Sequence, residues 1–388
     1  MQKETIQIQE EKPRKIQMVD VRSQYLKVKD EIDGELQKVI ESCAFINGPA
    51  VKNFAANLKQ YLGAEVVVPC ANGTDALQIA LMALGMEPGD EVIVPAFTYV
   101  ATAEVIALLR LKPVMVDVDP NSFNITPEII EKALSPKTKC VVPVSLFGQN
   151  PDLEGIMELA KKHNFYIVED NAQSIGSDFI FTDGSRKKAG TIGHIGTTSF
   201  YPSKNLGAYG DGGALYTNNK ELGEKIRIIA NHGQTKKYVH DVIGCNSRLD
   251  SMQAAILGVK LNYLDAYCST RQEVADRYDL ALINVDALEI PKRVENSTHV
   301  FHQYTLKVKD GRRDELKSYL AERNIPSMIY YPIPLYEQEA FKPFTDVTFL
   351  PNTDALCKEV ISLPIHTEML IEDIRYITDT VKSFFNND

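Results

Sequence analysis

The sequence predicts an α/β fold, a mainly parallel sheet between helices, followed by a smaller α+β C-terminal domain. Three observations carry this. Between about residues 66 and 168, short β-branched runs alternate with amphipathic stretches of helical period. The runs are continuously apolar rather than alternating, as strands covered on both faces are. Beyond residue 300 that rhythm gives way to one alternating segment, His302 to Val308, and an aromatic-proline loop, Tyr330-Tyr331-Pro332-Ile333-Pro334-Leu335. At 388 residues and 44% apolar content, the chain can bury two cores.

Taken in order, Met1 to Lys15 is polar and lacks the apolar stretch of a signal peptide, and residues 1–17 are expected to be a disordered leader. A large domain is expected over 18–262 and a small one over 263–388. Helical periodicity runs from Tyr25 to Ser42, is broken at Asn47-Gly48-Pro49, and resumes from Val51 to Leu62. Strand-like runs follow at Val66–Val68, Glu91–Val94, Val114–Val116, Cys140–Val144 and Phe165–Val168. Between them lie helical stretches at Asp75–Leu84, Thr102–Leu109, Pro127–Leu134 and Leu153–His163. Two more helices are expected at Ser251–Tyr263 and around Ser269–Leu282.

Composition excludes several function classes. The formal net charge is −10 and the pI near 5.3, which argues against a nucleic-acid partner but allows a local basic pocket for a phosphorylated small molecule. Six cysteines without a CxxC pair read as reduced cytosolic thiols, and no apolar run reaches membrane-spanning length. The seven histidines show neither HxxxH nor HExxH spacing and no serine lies in a GxSxG elbow, so a metal site or a hydrolase is not expected. The glycines from Gly207 to Gly213 do not have GxGxxG spacing, which excludes a dinucleotide turn there.

In a parallel sheet the ligand lies beyond the carboxyl ends of the strands, so the polar residues after each run are the candidates. Ala71-Asn72-Gly73-Thr74-Asp75 opens a helix with free N–H groups and a hydroxyl, an anion site or simply a capped helix start. Ala96-Phe97-Thr98-Tyr99 offers two aromatics at strand-like spacing, of which one faces the ligand edge and the other the core. Glu169-Asp170 ends an apolar strand, where a carboxylate is costly unless it meets a cation such as a protonated pyridine nitrogen; a helix N-cap is the rival reading of Asp170. Glu169 is expected on the opposite face of the strand. Lys204 precedes Gly207, Gly210, Gly212 and Gly213, where the backbone can bend and approach a ligand; alone it reads equally as a surface lysine, and with Asp170 it reads as a Schiff-base nucleophile. That pairing is what a pyridoxal-phosphate enzyme requires, because the charged ring nitrogen makes the cofactor an electron sink.

These segments, together with Ser199 to Gly213, Gly244-Cys245-Asn246-Ser247-Arg248-Leu249-Asp250 and Gln253-Ala254-Ala255, resemble the DegT/StrS-type sugar nucleotide aminotransferases, which are fold-type I pyridoxal-phosphate enzymes. The resemblance runs from about Val19 to the C-terminus. It implies pyridoxal 5'-phosphate as cofactor, in its pyridoxamine form during turnover, with Lys204 bonded to the cofactor and moving the proton. Asp170 would hold the ring nitrogen protonated, Gln173 would touch the ring hydroxyl and Tyr99 would stack on the ring. Gly73, Thr74, Asp75 and Ser199 would lie at the phosphate end. Asn246 would reach the cofactor of a neighbouring subunit, which makes a homodimer with shared sites the expected active unit. Arg248, Tyr330 and Tyr331 are the candidate substrate contacts; relatives commonly carry histidine where this chain has Tyr330, and a tyrosine there cannot carry positive charge at neutral pH. The resemblance also implies L-glutamate as donor, a 3-oxo nucleotide sugar as acceptor and a cytoplasmic role in surface polysaccharide biosynthesis. UDP-2-acetamido-2-deoxy-3-oxo-glucuronate is the first expectation, ahead of dTDP-3-oxo-6-deoxyhexoses and 4-oxo sugars. Members that act as dehydratases or regulators typically have the lysine changed, and Lys204 is retained.

Overall fold

β-branched side chains fit a pleated surface buried on both sides, and the apolar runs accordingly form the centre of the computed structural model, which describes residues 16–386. The seven-stranded sheet is built from β1 (Val66–Cys70), β2 (Glu91–Pro95), β3 (Lys112–Val116), β4 (Thr138–Val141), β5 (Tyr166–Asp170) and two later strands. After the short hairpin of β6 (Asp178–Ile180) and β7 (Arg186–Lys188) come β8 (Ile195–Ser199) and β9 (Gly213–Thr217), and the sheet order is β1-β9-β8-β5-β4-β2-β3. β9 runs antiparallel to both β1 and β8, and the other pairings are parallel, so six strands share one direction. The sheet is thus mainly parallel as expected, with one reversed strand inside it. The ends Cys70, Pro95, Val116, Val141, Asp170 and Ser199 all lie on one edge, joined there by the first residue of β9, Gly213.

Alternate residues feed opposite layers. Val92, Val94, Val142 and Val168 pack beneath the helices Gly73–Ala83 and Ala101–Leu108, while Ile93, Val141 and Ile167 face the helices Pro127–Ala133 and Leu153–His163. A third cluster joins Phe54, Leu58, Phe200, Leu206, Tyr216 and Leu257, tying the helices Pro49–Leu62 and Ser251–Leu261 to the loop before β9. Pro49 opens its helix at the first position, where a missing N–H costs nothing.

The hairpin of β10 (Gln234–Lys236) and β11 (Val239–His240) precedes the helix Ser251–Leu261. The long helix Leu264–Leu282 then starts in the third cluster with Leu264 and Cys268 and ends in a fourth with Tyr278 and Leu282. That fourth core lines the antiparallel sheet of β12 (Leu288–Glu289), β13 (Tyr304–Val308) and β14 (Val360–Leu363), with the helices Arg313–Glu322 and Ile371–Asn386. Ile16 packs against it, and residues 1–15 of the expected leader lie outside the described residues.

One expectation changes, and two strands were not foreseen. β13 was expected to alternate, but it is buried along its whole length: Lys307 points its ammonium to Glu289 at 2.6 Å and to the Pro120 carbonyl at 2.8 Å. β8 and β9, Ile-Gly-Thr-Thr-Ser and Gly-Ala-Leu-Tyr-Thr, lack the valine- and isoleucine-rich run that announces the other strands. Gly196 shows why small residues occupy β8: a Cβ there would meet the Gly190 carbonyl oxygen at 1.9 Å and Tyr216 Cε2 at 2.4 Å. Gly196→Ala is therefore expected to lower stability by about 1–3 kcal/mol, the usual cost of overpacking, read as a lower denaturant midpoint at unchanged slope.

Candidate active site

The loop carrying Lys204 is fixed by its own backbone. The Phe200 N–H donates to the Gly212 carbonyl at 2.7 Å, the Ala208 N–H to the Phe200 carbonyl at 2.8 Å, and the Lys204 N–H to the Tyr201 carbonyl at 2.8 Å. Phe200 is fully buried, edge-on to Phe54, and anchors the loop in the core. At Gly207 a Cβ would lie 2.3 Å from the Pro202 carbonyl oxygen, so this turn admits only glycine. The amine of Lys204 is largely withdrawn from water, and burial lowers its pKa to about 8, opposed by the charge of Asp170.

Asp170 ends β5, with 6% of its surface exposed. Its Oδ2 accepts from the Thr102 hydroxyl at 2.9 Å and its Oδ1 from the Ala172 N–H at 3.2 Å. Burial raises its pKa, while Thr102, Ala172 and the charge of Lys204 work against that. Residues 172–175 form turns, not a helix, so Asp170 caps nothing. Its neighbour Glu169 faces the other side: its carboxylate accepts from the N–H groups of Gly190, Ile192 and Gly193 at 2.7, 2.8 and 2.5 Å and pins that loop.

The turn that opens the helix Gly73–Ala83 lies beside Ser199. Asn72 caps the helix Gly73–Ala83 by accepting the Asp75 N–H at 2.8 Å, leaving the first-turn N–H groups of Gly73 and Thr74 without an intrahelical acceptor. A Cβ on Gly73 would meet Ser199 Cβ at 2.8 Å, and one on Gly213 would meet the Asn72 carbonyl oxygen at 2.4 Å. Glycine at both positions lets β1, β8 and β9 bring these donors together. Asp75 contributes its backbone to the cap.

Phe97 is buried against Phe123 and Phe147, whereas Tyr99 keeps 56% of its surface exposed at the ligand edge, 6.3 Å from the ring of Tyr331. Gln173 Oε1 accepts the Phe147 N–H at 2.8 Å and its Nε2 donates to the Tyr331 hydroxyl at 3.1 Å, so Tyr331 reaches the segment after β5 from the C-terminal part of the chain. Tyr330 is half-buried beside Gln303 and Tyr201. Ser247, flanked by Asn246 and Arg248, accepts the Ala71 N–H at 3.0 Å, which sets that segment against the turn that opens the helix Gly73–Ala83; Asn246 itself is exposed and Arg248 leans on Asn231 at 3.4 Å.

Sequence reading missed two neighbours. Thr102 holds Asp170, and its only signal was a hydroxyl at the start of a helix. His302 is buried with an unpartnered Nδ1 close enough to Lys204 for that charge, with Arg271, to help burial hold its pKa well below the ordinary value. Among the described residues no group of three or more His, Cys, Asp or Glu could hold a metal, and no helix is long and apolar enough to cross a membrane.

The set fits pyridoxal phosphate: a buried carboxyl and an amine that feel each other's charge, first-turn N–H groups that Gly73 and Gly213 allow to lie close to Ser199, and the exposed ring of Tyr99 after β2 on the same sheet edge. Comparison with known proteins agrees. The model of the DegT/DnrJ/EryC1/StrS aminotransferase family matches residues 27–382. A pleiotropic regulatory protein of Geobacillus stearothermophilus is 44% identical over 96% of this chain and 99% of its own. The UDP-2-acetamido-2-deoxy-3-oxo-D-glucuronate aminotransferase of Pseudomonas aeruginosa is 42% identical over 93% of this chain and 98% of its own. The crystal structure of S. venezuelae DesV in complex with a ketimine intermediate superposes with a TM-score of 0.91 at 34% identity, covering 95% of this chain and 98% of that one.

In protein prepared without cofactor, the reactivity of Lys204 toward an amine reagent, followed site by site by mass spectrometry, should rise through a midpoint near pH 8. Asp170→Asn removes the opposing charge and should move that midpoint down.

Proposed function

Because the chain belongs to the DegT/DnrJ/EryC1/StrS aminotransferase family as a pyridoxal-phosphate-dependent sugar aminotransferase of fold type I, we propose that it moves an amino group from L-glutamate to a 3-oxo nucleotide sugar, UDP-2-acetamido-2-deoxy-3-oxo-glucuronate. The observation that carries the chemistry is the convergence of Lys204 and Asp170 on one sheet edge, each feeling the other's charge. For the acceptor, support comes from the aminotransferase sharing 42% identity across nearly its whole length.

When bound, the cofactor supplies an electron sink for the carbon that gains or loses the amine. The residues do the rest. Lys204, with its pKa lowered to about 8, is a base whose neutral form is far more populated near neutral pH than that of an ordinary lysine, and in each half of the reaction it would carry the proton between the substrate carbon and the cofactor. Asp170, steadied by Thr102, offers a carboxylate to a ring N–H. Gly73, Thr74, Asp75 and Ser199 receive the phosphate end, Tyr99 covers the ring and Gln173 meets its hydroxyl. Asn246 completes the phosphate site of a second copy of the chain, in a homodimer. Arg248 meets the uronate carboxylate, and Tyr330 and Tyr331 border the sugar. Such an enzyme would work in the cytoplasm on precursors of surface polysaccharides, O-antigen among them. The name of the 44% identical relative points to regulation; an intact Lys204, Asp170 and phosphate turn favour catalysis in this chain.

The test is a panel of UDP- and dTDP-linked 3-oxo and 4-oxo sugars incubated with L-glutamate and followed by mass spectrometry. Amination of the UDP-linked 3-oxo uronate with release of 2-oxoglutarate is expected, and turnover confined to dTDP-linked or 4-oxo sugars would overturn the assignment. Hydrogen bonds to charged groups contribute about 1.5–3 kcal/mol, so Arg248→Ala should raise KM for the uronate by about tenfold or more.

A further inference from the structure

The helix Ser251–Leu261 presents two polar side chains to the segment that follows Lys204. Gln253 and Lys260 are seven residues apart, two turns of one helix face. Gln253 Oε1 accepts the Tyr209 N–H at 2.8 Å and its Nε2 reaches back to the Tyr209 carbonyl at 3.5 Å. Lys260 Nζ donates to the Gly207 carbonyl at 2.5 Å and lies 5.3 Å from the centre of the Tyr209 ring.

Lys260 is 1% exposed, and no carboxylate pairs with it among the described residues. An ammonium so placed loses several kcal/mol of hydration, a cost that apolar residues of similar volume would avoid. Burial and the neighbouring Arg271 accordingly lower its pKa to about 7. A core-filling lysine would leave its nitrogen at the surface; this one ends on a single backbone carbonyl, that of Gly207. Gly207 in turn rests on Pro202, two residues before Lys204, at a distance no side chain could share. Anchoring Gly207 therefore anchors the turn that aims the lysine. The rest of the helix is seated in the core through Ala254, Leu257 and Leu261, so it is a rigid support.

We propose that Gln253 and Lys260 are positioning residues that clamp Gly207 and Tyr209 from behind and so hold Lys204 in its working place. The proposal rests on the reading of Lys204 as the reactive amine, and it adds that the helix next to the Asn246–Asp250 segment sets that amine's position.

Hydrogen exchange of the full chain, prepared without cofactor, tests it. Lys260→Met and Gln253→Ala should each speed exchange of the Lys204 and Ala208 amides by about tenfold, with the β5 amides unchanged. With cofactor, kcat should fall more than KM rises. Lys260→Gln, which keeps an N–H donor, should restore part of the protection; should Lys260→Met fail to fold, Lys260→Gln and Gln253→Ala give the same readout. Unchanged exchange in the loop, or equal acceleration of every amide, overturns the clamp. Because exchange is read without cofactor, the clamp can fail while the assignment of Lys204 stands, and the reverse.

Discussion

An amine and a carboxyl that have both left water feel each other, and any charge placed between them, far more strongly than in solvent. Lys204 and Asp170 are held in that condition at one edge of the central sheet. Desolvation pulls the lysine toward its neutral, nucleophilic form and the aspartate toward its neutral form, and a cationic ring between them would favour the ionised carboxylate. The rest of the architecture serves this balance. β5 and its parallel neighbours deliver Asp170, Thr102 steadies it, and the backbone bonds around Phe200 keep the lysine turn closed.

Close backbone approach is the second constraint. Gly73 against Ser199, Gly213 against Asn72 and Gly207 against Pro202 are contacts that a single Cβ would break. The reversed strand β9 makes this geometry available, because its first residue enters the sheet edge where the other strands end. The same hydrogen-bond economy explains Glu169: buried on the opposite face, it satisfies three N–H groups of the loop before β8 and so fixes the strand that presents Ser199.

Much of this was legible in the sequence, for physical reasons. Strands buried on both faces must be continuously apolar, so the runs from Val66 to Val168 were readable. A ligand edge follows from parallel strands, so the residues after those runs pointed to the cofactor. β8 and β9 were not readable, because Ile-Gly-Thr-Thr-Ser and Gly-Ala-Leu-Tyr-Thr carry no run of valine and isoleucine. Contacts that join distant segments were also hidden: nothing local ties Thr102 to Asp170, Tyr331 to Gln173 or Lys260 to Gly207. Tyr330 and Tyr331 were both expected at the substrate; the structure leaves both partly buried, the first beside Gln303 and the second against Phe97 and Gln173.

The proposed chemistry depends on Lys204 as the residue that bonds the cofactor. Borohydride reduction of the purified protein loaded with pyridoxal phosphate, followed by peptide mapping, tests this directly. The pyridoxyl adduct is predicted on Lys204 with loss of the yellow colour. An adduct on a different lysine, or none in protein supplied with the cofactor, would contradict it.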